Sequence, residues 1–116
     1  MLGAAALGDI GKHFPDNQKK FKGISSIKLL GIVVNMLRKN HFRVFNVDST
    51  VVLETPKLSK FIPQMQNKIS KVLEVSIHDI SIKATTNERL GTIGRNEGCA
   101  AFAVVTIGPT NERKTR

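Results

Sequence analysis

Cysteine and large aromatic residues are scarce in this chain of 116 residues, which has no tryptophan, no tyrosine and one cysteine. A lone Cys99 cannot form an internal disulfide, so a reducing compartment is expected. Because no His and Asp pattern accompanies it, we interpret Cys99 as a small core residue rather than a nucleophile. The three histidines lie outside any zinc-binding spacing, and the six phenylalanines are not interleaved with arginine as a base-stacking surface would require.

Long apolar runs and acidic residues are also in short supply. The apolar stretch at residues 100–105 is far shorter than the roughly 20 residues of a membrane-spanning helix, and no basic segment precedes an apolar core at the N-terminus. Neither a membrane span nor a secretory signal is therefore predicted. Lys and Arg number 18 against 9 Asp and Glu, a net charge of +9. These cations are scattered in short clusters, which favours a solvated basic surface over nucleic-acid binding.

Two helices are predicted from apolar residues that recur at helical spacing. The first spans residues 26–40, with Ser25 or Ser26 as its cap. The second begins with a Ser59 cap and keeps Pro63 in its first turn, where proline is tolerated. Residues 1–8 have the small-residue composition of a helix C-terminal end stopped by Gly8, so the chain is expected to open within an element.

Three strands are predicted, at residues 45–53, 80–85 and 99–107. Phe45 and Val47 share the apolar face of the first strand, and the last is apolar on both parities, which predicts burial on both faces. Strand, helix and strand with short connections predict a parallel pair with a right-handed crossover. The expected fold class is α/β, of the α+β kind: a mixed β-sheet with helices packed on one face. It covers residues 1–108, followed by a flexible basic tail at residues 109–116.

Two loops concentrate residue types that bind phosphates and sugars. The first, DIGKHFPD, offers Asp9 and Asp16 to hydroxyls or to a cation. The second, KATTNERLGTIGR, places Thr85 and Thr86 at the carboxyl end of a strand, with Glu88 two residues further on. Ligands of α/β sheets bind at such ends. The spacing alone leaves a structural alternative, in which the aspartates cap loop turns and the threonines cap the turn after the strand.

Several short motifs follow one another along the chain: DIGKHFPD, FKG, NVDSTVV, a PKL that precedes IPQM, and KATT-x-E-x-LG-x-x-GR-x-EG. In this order and at these separations they resemble the 2-C-methyl-D-erythritol 2,4-cyclodiphosphate synthase family of the non-mevalonate isoprenoid pathway. The resemblance covers residues 2–107. It implies a phosphorus–oxygen lyase that cyclises 4-diphosphocytidyl-2-C-methyl-D-erythritol 2-phosphate and releases CMP.

The resemblance also implies the setting of this reaction. The 2-phosphate oxygen attacks the β-phosphorus, and cations and donors must neutralise the two anionic groups that approach each other. Family members use Zn²⁺ and a second divalent cation, Mg²⁺ or Mn²⁺, and place the active site between subunits of a homotrimer. A bacterial member is expected in the cytoplasm and a eukaryotic one in a plastid-type organelle, with neither nucleic acid nor membrane as a partner.

Individual residues take roles only from this resemblance. Thr86 matches the threonine that stabilises the transferring phosphate, Glu88 matches the carboxylate that takes the second metal, and Arg95 matches an arginine of the trimer's central channel. These three are also substrate-binding positions in the resemblance. The further substrate-binding positions are Asp9, Ile10 and Gly11 at the methylerythritol hydroxyls; Phe14, Pro15, Asp16, Asn17 and Gln18 in the flexible loop beside them; Leu53, Glu54, Thr55, Pro56, Lys57, Leu58 and Ser59 at the cytosine; and Ala84, Thr85, Asn87 and Thr92 around the nucleotide and its loop.

Three positions depart from the family pattern. Gln18 stands where the family commonly has Asp, Asn87 where it has Thr, and Thr92 where it has Phe. The family's zinc ligands, a D-x-H pair and a third histidine after S-D-G-D, lie upstream of the triplet that begins at Asp9, and no D-x-H occurs in this sequence. The chain is therefore expected to correspond to the latter part of a family member, without the N-terminal strands and the zinc site.

Two functions stay open for such a chain. It is either the synthase or a catalytically incompetent truncated member, which binds cytidine nucleotide through residues 57–59 and 84–86 or only assembles. An RNA-binding function would rest on charge alone, and it would require an affinity that falls steeply with salt.

Overall fold

The computed structural model describes residues 1–111. In chain order its elements are α1 (Ile10–His13), α2 (Ser26–Lys39), β1 (Phe42–Val52), α3 (Ile62–Leu73), β2 (Ile80–Thr85), α4 (Gly91–Gly94) and β3 (Ala100–Pro109). Short 3₁₀ turns lie at Lys19–Phe21, Ser59–Phe61 and Ile77–Asp79. No helix within the described residues combines the length and the apolar character needed to cross a membrane.

β1 is the central strand of a three-stranded mixed sheet with the order β2-β1-β3. It pairs in parallel with β2, from Val47 opposite Ile80 to Val52 opposite Thr85, and it pairs antiparallel with β3. α3 lies in the connection between the two parallel strands, because parallel neighbours cannot be joined by a tight turn. The predicted parallel pair, the mixed sheet and the α+β class are confirmed.

α2 and α3 pack against each other and against one face of the sheet. Leu37 of α2 is fully buried at the centre of this packing. The side chains that surround it come from both helices and from the first two strands: Val33, Val34, Val44, Leu73 and Ile80. Leu2 and Phe14 complete the core from the N-terminal segment. The core therefore lies between the helices and the sheet, as the predicted one-sided packing requires.

The other face of the sheet is exposed in the single chain. Phe102 is 65% exposed and Val104 is 73% exposed. Cys99, just before β3, is exposed too. The predicted burial of this strand on both faces, with Cys99 in the core, is therefore wrong for the described residues, because their helices cover only one side of the sheet. Next to the apolar residues, Lys83 and Asp48 form an ion pair with 2.7 Å between Nζ and Oδ1.

β1 contains an irregularity between Val44 and Asn46, where its pairing register with β3 shifts. The extra residue changes the side-chain alternation, so that Val44 and Val47 both contribute to the core. The Phe45 ring instead packs over Gly108, where an added Cβ would come within 2.6 Å of the ring carbon Cζ. The predicted face shared by Phe45 and Val47 is wrong, because counting alternate residues along the sequence misses a bulge.

The start of α3 also differs from the prediction. Ser59 opens a 3₁₀ turn, and α3 begins three residues later with Phe61 as its N-cap and without a capping side-chain hydrogen bond. Pro63 does lie in the first turn, as predicted. Ser25 occupies the N-cap position of α2, again without a side-chain cap. Both helices therefore depend on packing of their apolar faces more than on capping.

The N-terminal segment forms one helical turn with a Schellman ending. The Leu7 amide donates to the Leu2 carbonyl at 2.9 Å, and the Ala6 amide donates to the Gly3 carbonyl at 3.0 Å. Ala6 takes the left-handed conformation, with φ of 57°. The sequence predicted that Gly8 ends this element, whereas the turn ends at Ala6, two residues earlier.

The predicted loop at residues 9–23 contains α1 and the turn at Lys19–Phe21. Phe14 and Phe21 hold this segment against the core through an edge-to-face contact, with 5.2 Å between ring centroids. Packing of these two aromatic rings thus places the segment against the core, which its Gly, Pro and Asp content does not predict.

The C-terminal end of the sheet lies one residue past the predicted domain boundary. β3 runs to Pro109, and the Thr110 amide then donates to the His41 carbonyl at 3.0 Å. The predicted tail therefore overlaps the strand at its first residue. Its last part, residues 112–116, lies outside the described residues.

Replacing Leu37 with Ala should lower the free energy of unfolding by about 2–5 kcal/mol, because it leaves a cavity where the side chain is fully buried. Urea unfolding followed by circular dichroism measures the change as a lower midpoint. Ile32→Ala on the same helix is the control, since Ile32 is 37% exposed. Equal midpoints for the two variants would contradict the described core.

Candidate active site

A cavity of about 290 Å³ opens where β1 and β2 end. Its walls come from the segment after β1 and from the end of β2: Leu53, Glu54, Pro56, Lys57, Leu58, Ser59, Ala84, Thr85 and Thr86. Every one of these residues was selected from the sequence as a substrate-binding position. The structure therefore brings the two predicted nucleotide-binding segments together into one pocket.

The parallel pairing explains why these two segments meet. The ladder continues beyond β1 through the Leu53 amide, which donates to the Thr85 carbonyl at 3.0 Å. Because parallel strands run in the same direction, the loops that follow them leave from the same edge of the sheet. Ligands of sheets with parallel strands bind at that edge.

Glu54 connects the two loops by a pair of hydrogen bonds. Its Oε2 accepts from the Asn87 amide at 3.0 Å, and its Oε1 accepts from the Arg89 amide at 2.8 Å. Hydrogen bonds to an ionised carboxylate are stronger than those between neutral groups. The Glu54 carboxylate therefore holds the loop after β2 against the wall of the pocket.

Thr86 and Glu88 lie in the loop that Glu54 holds. The Thr86 hydroxyl oxygen accepts from the Glu88 amide at 3.3 Å, which leaves its hydrogen available for donation. Glu88 and Arg89 both have left-handed backbone conformations, with φ of 51° and 62°. Such conformations are disfavoured for residues with a Cβ and occur where surrounding contacts impose them.

A second set of contacts closes the far side of this loop. Thr55 Oγ1 donates to Asn96 Oδ1 at 2.9 Å, and Asn87 Nδ2 donates to the Leu90 carbonyl at 2.8 Å. Gly94 packs directly on the backbone, since an added Cβ there would lie 2.1 Å from the Arg89 carbonyl carbon. Sequence reasoning did not select Asn96 or Gly94 as site residues. The only feature of the sequence that indicated close packing in this segment was its repeated glycines.

The first predicted loop lies apart from this pocket within the single chain, since none of its residues lines the cavity. Asp9 caps α1, because its Oδ1 accepts from the Lys12 amide at 2.9 Å. This agrees with the structural alternative for that residue. Ile10 is 60% exposed, whereas the Phe14 side chain is buried in the core. Gly11 and residues 15–18 complete the loop outside the cavity.

The remaining predicted positions lie beyond the pocket wall. Thr92 is on α4. Arg95 follows α4, and its guanidinium bonds Glu97 Oε2 at 3.2–3.3 Å from two of its nitrogens. Both residues are exposed and neither lines the cavity.

The fit of a divalent cation to these residues depends on the metal. Within residues 1–111 no three His, Cys, Asp or Glu side chains lie together as a metal site. Zn²⁺ takes three or four such protein ligands, so these residues do not fit it. Mg²⁺ is commonly held by one or two carboxylates together with substrate phosphates, and the exposed Glu88 beside the pocket fits that requirement.

A larger cavity, of about 480 Å³, lies at the opposite end of the sheet. Arg38, Arg43, Glu74 and Asp79 are among its lining residues, together with apolar residues of the core. It contains none of the positions selected from the sequence.

The fold and the site define this chain as an α+β domain with a ligand pocket at the carboxyl ends of a parallel strand pair. The profile of the YgbB family matches residues 1–108. The chain belongs to this family.

Named relatives agree with the resemblance inferred from the motifs. The chain is 51% identical over 107 residues to the 2-C-methyl-D-erythritol 2,4-cyclodiphosphate synthase of Desulforamulus reducens, covering 92% of the chain and 68% of that protein. It is 48% identical over 107 residues to the synthase of Syntrophobacter fumaroxidans, with 92% and 67% covered. The family predicted from sequence is confirmed.

Solved structures share the fold. The bifunctional IspDF of Campylobacter jejuni matches with a TM-score of 0.87 and 42% identity, over 91% of this chain and 29% of that one. IspF of Plasmodium falciparum, described as a CDP complex, matches with a TM-score of 0.81 and 33% identity, over 95% and 65%. The chain therefore spans only part of each of these proteins.

Replacing Gly94 with Ala should destabilise the protein by about 1–3 kcal/mol, because the new Cβ overlaps the Arg89 backbone. Gly98→Ala is the matched control: no atom lies within 4 Å of its added Cβ. Chemical unfolding measures both. If Gly94→Ala unfolds at the same midpoint as Gly98→Ala, the described packing of this loop is incorrect.

Proposed function

We propose that the chain carries the nucleotide-binding and phosphoryl-transfer part of a 2-C-methyl-D-erythritol 2,4-cyclodiphosphate synthase. One observation supports this most directly: all the described residues that line the pocket come from the two segments that the resemblance assigns to the nucleotide and the reacting phosphate. The relatives that carry this enzyme name share about half of the chain's residues.

The segment after β1 is suited to the cytosine end of the substrate. Lys57, Leu58 and Ser59 form a half-buried to exposed wall of the pocket, and Ala84 faces them from β2. The backbone N–H and C=O groups of such a wall can pair with the hydrogen-bonding edge of a base, and a base that leaves them unpaired binds more weakly. We assign this wall to the cytosine.

The end of β2 is suited to the phosphates. The Thr86 hydroxyl retains a hydrogen to donate, and a donor aimed at developing negative charge stabilises phosphoryl transfer. Glu88 is the residue assigned to Mg²⁺ or Mn²⁺, which when bound would neutralise the charge of the two phosphate groups. No step is assigned to Zn²⁺.

The proposed reaction exchanges one phosphorus–oxygen bond for another. An oxygen of the 2-phosphate bonds to the β-phosphorus, the bond from that phosphorus to the bridging oxygen breaks, and CMP leaves with that oxygen. Both reacting groups belong to one substrate molecule, so the attack is intramolecular. The chain's contribution is to hold the nucleotide against residues 57–59 while the β-phosphorus lies near Thr86, which orients the two groups for reaction.

We also propose that a complete site forms between copies of the chain. The methylerythritol-binding triplet, Asp9 to Gly11, lies outside the pocket in a single chain. The exposed apolar face around Phe102 and Val104 provides a surface for association, because exposed patches of this kind are typical of interfaces. A homotrimer in which a neighbouring copy supplies the triplet agrees with both observations.

Calorimetric titration with CMP and an assay of CMP release test the proposal. The chain should bind CMP saturably and release it from the diphosphocytidyl substrate with Mg²⁺. Binding without release would favour the second candidate, a module that only binds cytidine nucleotide. This candidate is retained because residues 1–111 contain no set of zinc ligands. No CMP binding would contradict both candidates.

Replacing Thr86 with Val should lower kcat for CMP release by about 10²–10³-fold, because the hydroxyl that donates to the transferring phosphate is lost. CMP affinity should fall much less than kcat, because the base is assigned to residues 57–59. Thr110→Val is the matched control, since Thr110 lies at the other end of the sheet beside His41. A Thr86→Val enzyme with the kcat of the control would show that Thr86 does not contact the transferring phosphate.

A further inference from the structure

The two hydrogen bonds of Glu54 fall at alternate positions of the loop that carries the proposed reacting groups. The bonded amides belong to Asn87 and Arg89, at 3.0 and 2.8 Å. Thr86 and Glu88 each stand one residue before a bonded amide. Any displacement of the Glu54 carboxylate therefore moves the backbone that bears both side chains.

The same carboxylate is anchored on the nucleotide wall. Glu54 immediately follows Leu53, whose amide is bonded to the Thr85 carbonyl, and it precedes Thr55, whose hydroxyl donates to Asn96. Its neighbours on both sides are thus tied to the last residue of β2 and to the segment that follows it. Glu54 is half-buried, whereas residues 84–89 are exposed. The carboxylate is consequently the better fixed partner, and the loop is the part it constrains.

The loop also has a backbone conformation that needs such a constraint. Glu88 and Arg89 are consecutive left-handed residues without being glycine. This conformation brings amides 87 and 89 round to one carboxylate. Backbone amides that converge in this way form a site for an anion, and here the anion is the Glu54 side chain.

We propose that Glu54 is a positioning residue, which sets Thr86 and Glu88 relative to the nucleotide wall through the amides of Asn87 and Arg89. This inference rests on the proposed function, because it gives Glu54 a part in aligning the β-phosphate and its cation. The ionised Glu54 carboxylate has no hydrogen to donate to a phosphate and carries charge of the same sign, so its assigned part is to hold the loop amides. Its loss should weaken steps at the β-phosphate far more than base recognition, which is assigned to residues 57–59.

The test compares Glu54→Ala and Glu54→Gln with Glu74→Gln. Glu74 is a matched control, since it is an exposed glutamate at the C-cap of α3 that forms an ion pair with Arg38. In Glu54→Gln the side-chain oxygen can accept from one amide, while its NH₂ group opposes the other. The Gln variant should therefore fall between wild type and Glu54→Ala.

Amide hydrogen exchange provides a measurement that needs no ligand. In Glu54→Ala the amides of Asn87 and Arg89 should exchange at least about tenfold faster, because both lose their acceptor. Exchange of the Leu53 amide, which is bonded to Thr85, should not change. Unchanged exchange at Asn87 and Arg89 would overturn the proposal whatever the activity of the chain.

Ligand binding and turnover separate positioning from a general loss of structure. In Glu54→Ala, the affinity for CMP should fall much less than the affinity for CDP with Mg²⁺. The additional affinity for CDP should be lost, and kcat should fall about 10–100-fold. An equal loss of CMP and CDP affinity would show that Glu54 merely supports the pocket, which overturns the proposal. If wild type binds no CMP, the proposed function fails and the inference fails with it. If wild type binds CMP and the variants match Glu74→Gln, only the inference fails.

Discussion

The parallel pairing of β1 with β2 is the constraint on which the pocket depends. Its last hydrogen bond, from the Leu53 amide to the Thr85 carbonyl, lies directly beneath the cavity. Because Val52 stands opposite Thr85, the two loops start level with each other. A slip of one residue would turn every side chain of the strand to the opposite face. It would also remove Glu54 from its position opposite the amides of the second loop.

The elements that follow from local patterning could be predicted from the sequence. The apolar spacing that ends in the fully buried Leu37 identified α2, and the alternation in residues 80–85 identified β2. Features that depend on pairing could not. Phe45 belongs to a bulge, which appears only when β1 is aligned with β3. The exposure of Phe102 depends on what packs against that face of the sheet. An apolar strand predicts burial, but it does not indicate whether the residues that bury it belong to the same chain.

The candidate site divides in the same way. The motifs identified every residue that lines the pocket, because a wall made of two continuous segments leaves continuous sequence signatures. They did not identify the contacts that join the segments. Asn96 and Gly94 matter through single atoms, an amide oxygen that accepts from Thr55 and a missing Cβ above Arg89. Each of these contacts depends on a single interatomic distance in the folded chain, which residue spacing along the sequence does not predict.

The left-handed pair Glu88 and Arg89 shows how the loop and Glu54 depend on each other. Two such residues cost roughly 1–3 kcal/mol each, while two hydrogen bonds to a charged group contribute about 1.5–3 kcal/mol each, so the terms are comparable. The loop is therefore held in this conformation by the carboxylate. Since the amides of Asn87 and Arg89 are occupied by Glu54, they are not available to a phosphate. In the proposed reaction, the Thr86 hydroxyl and a cation at Glu88 are the groups of this loop assigned to the phosphate, and the bonds to Glu54 leave both accessible.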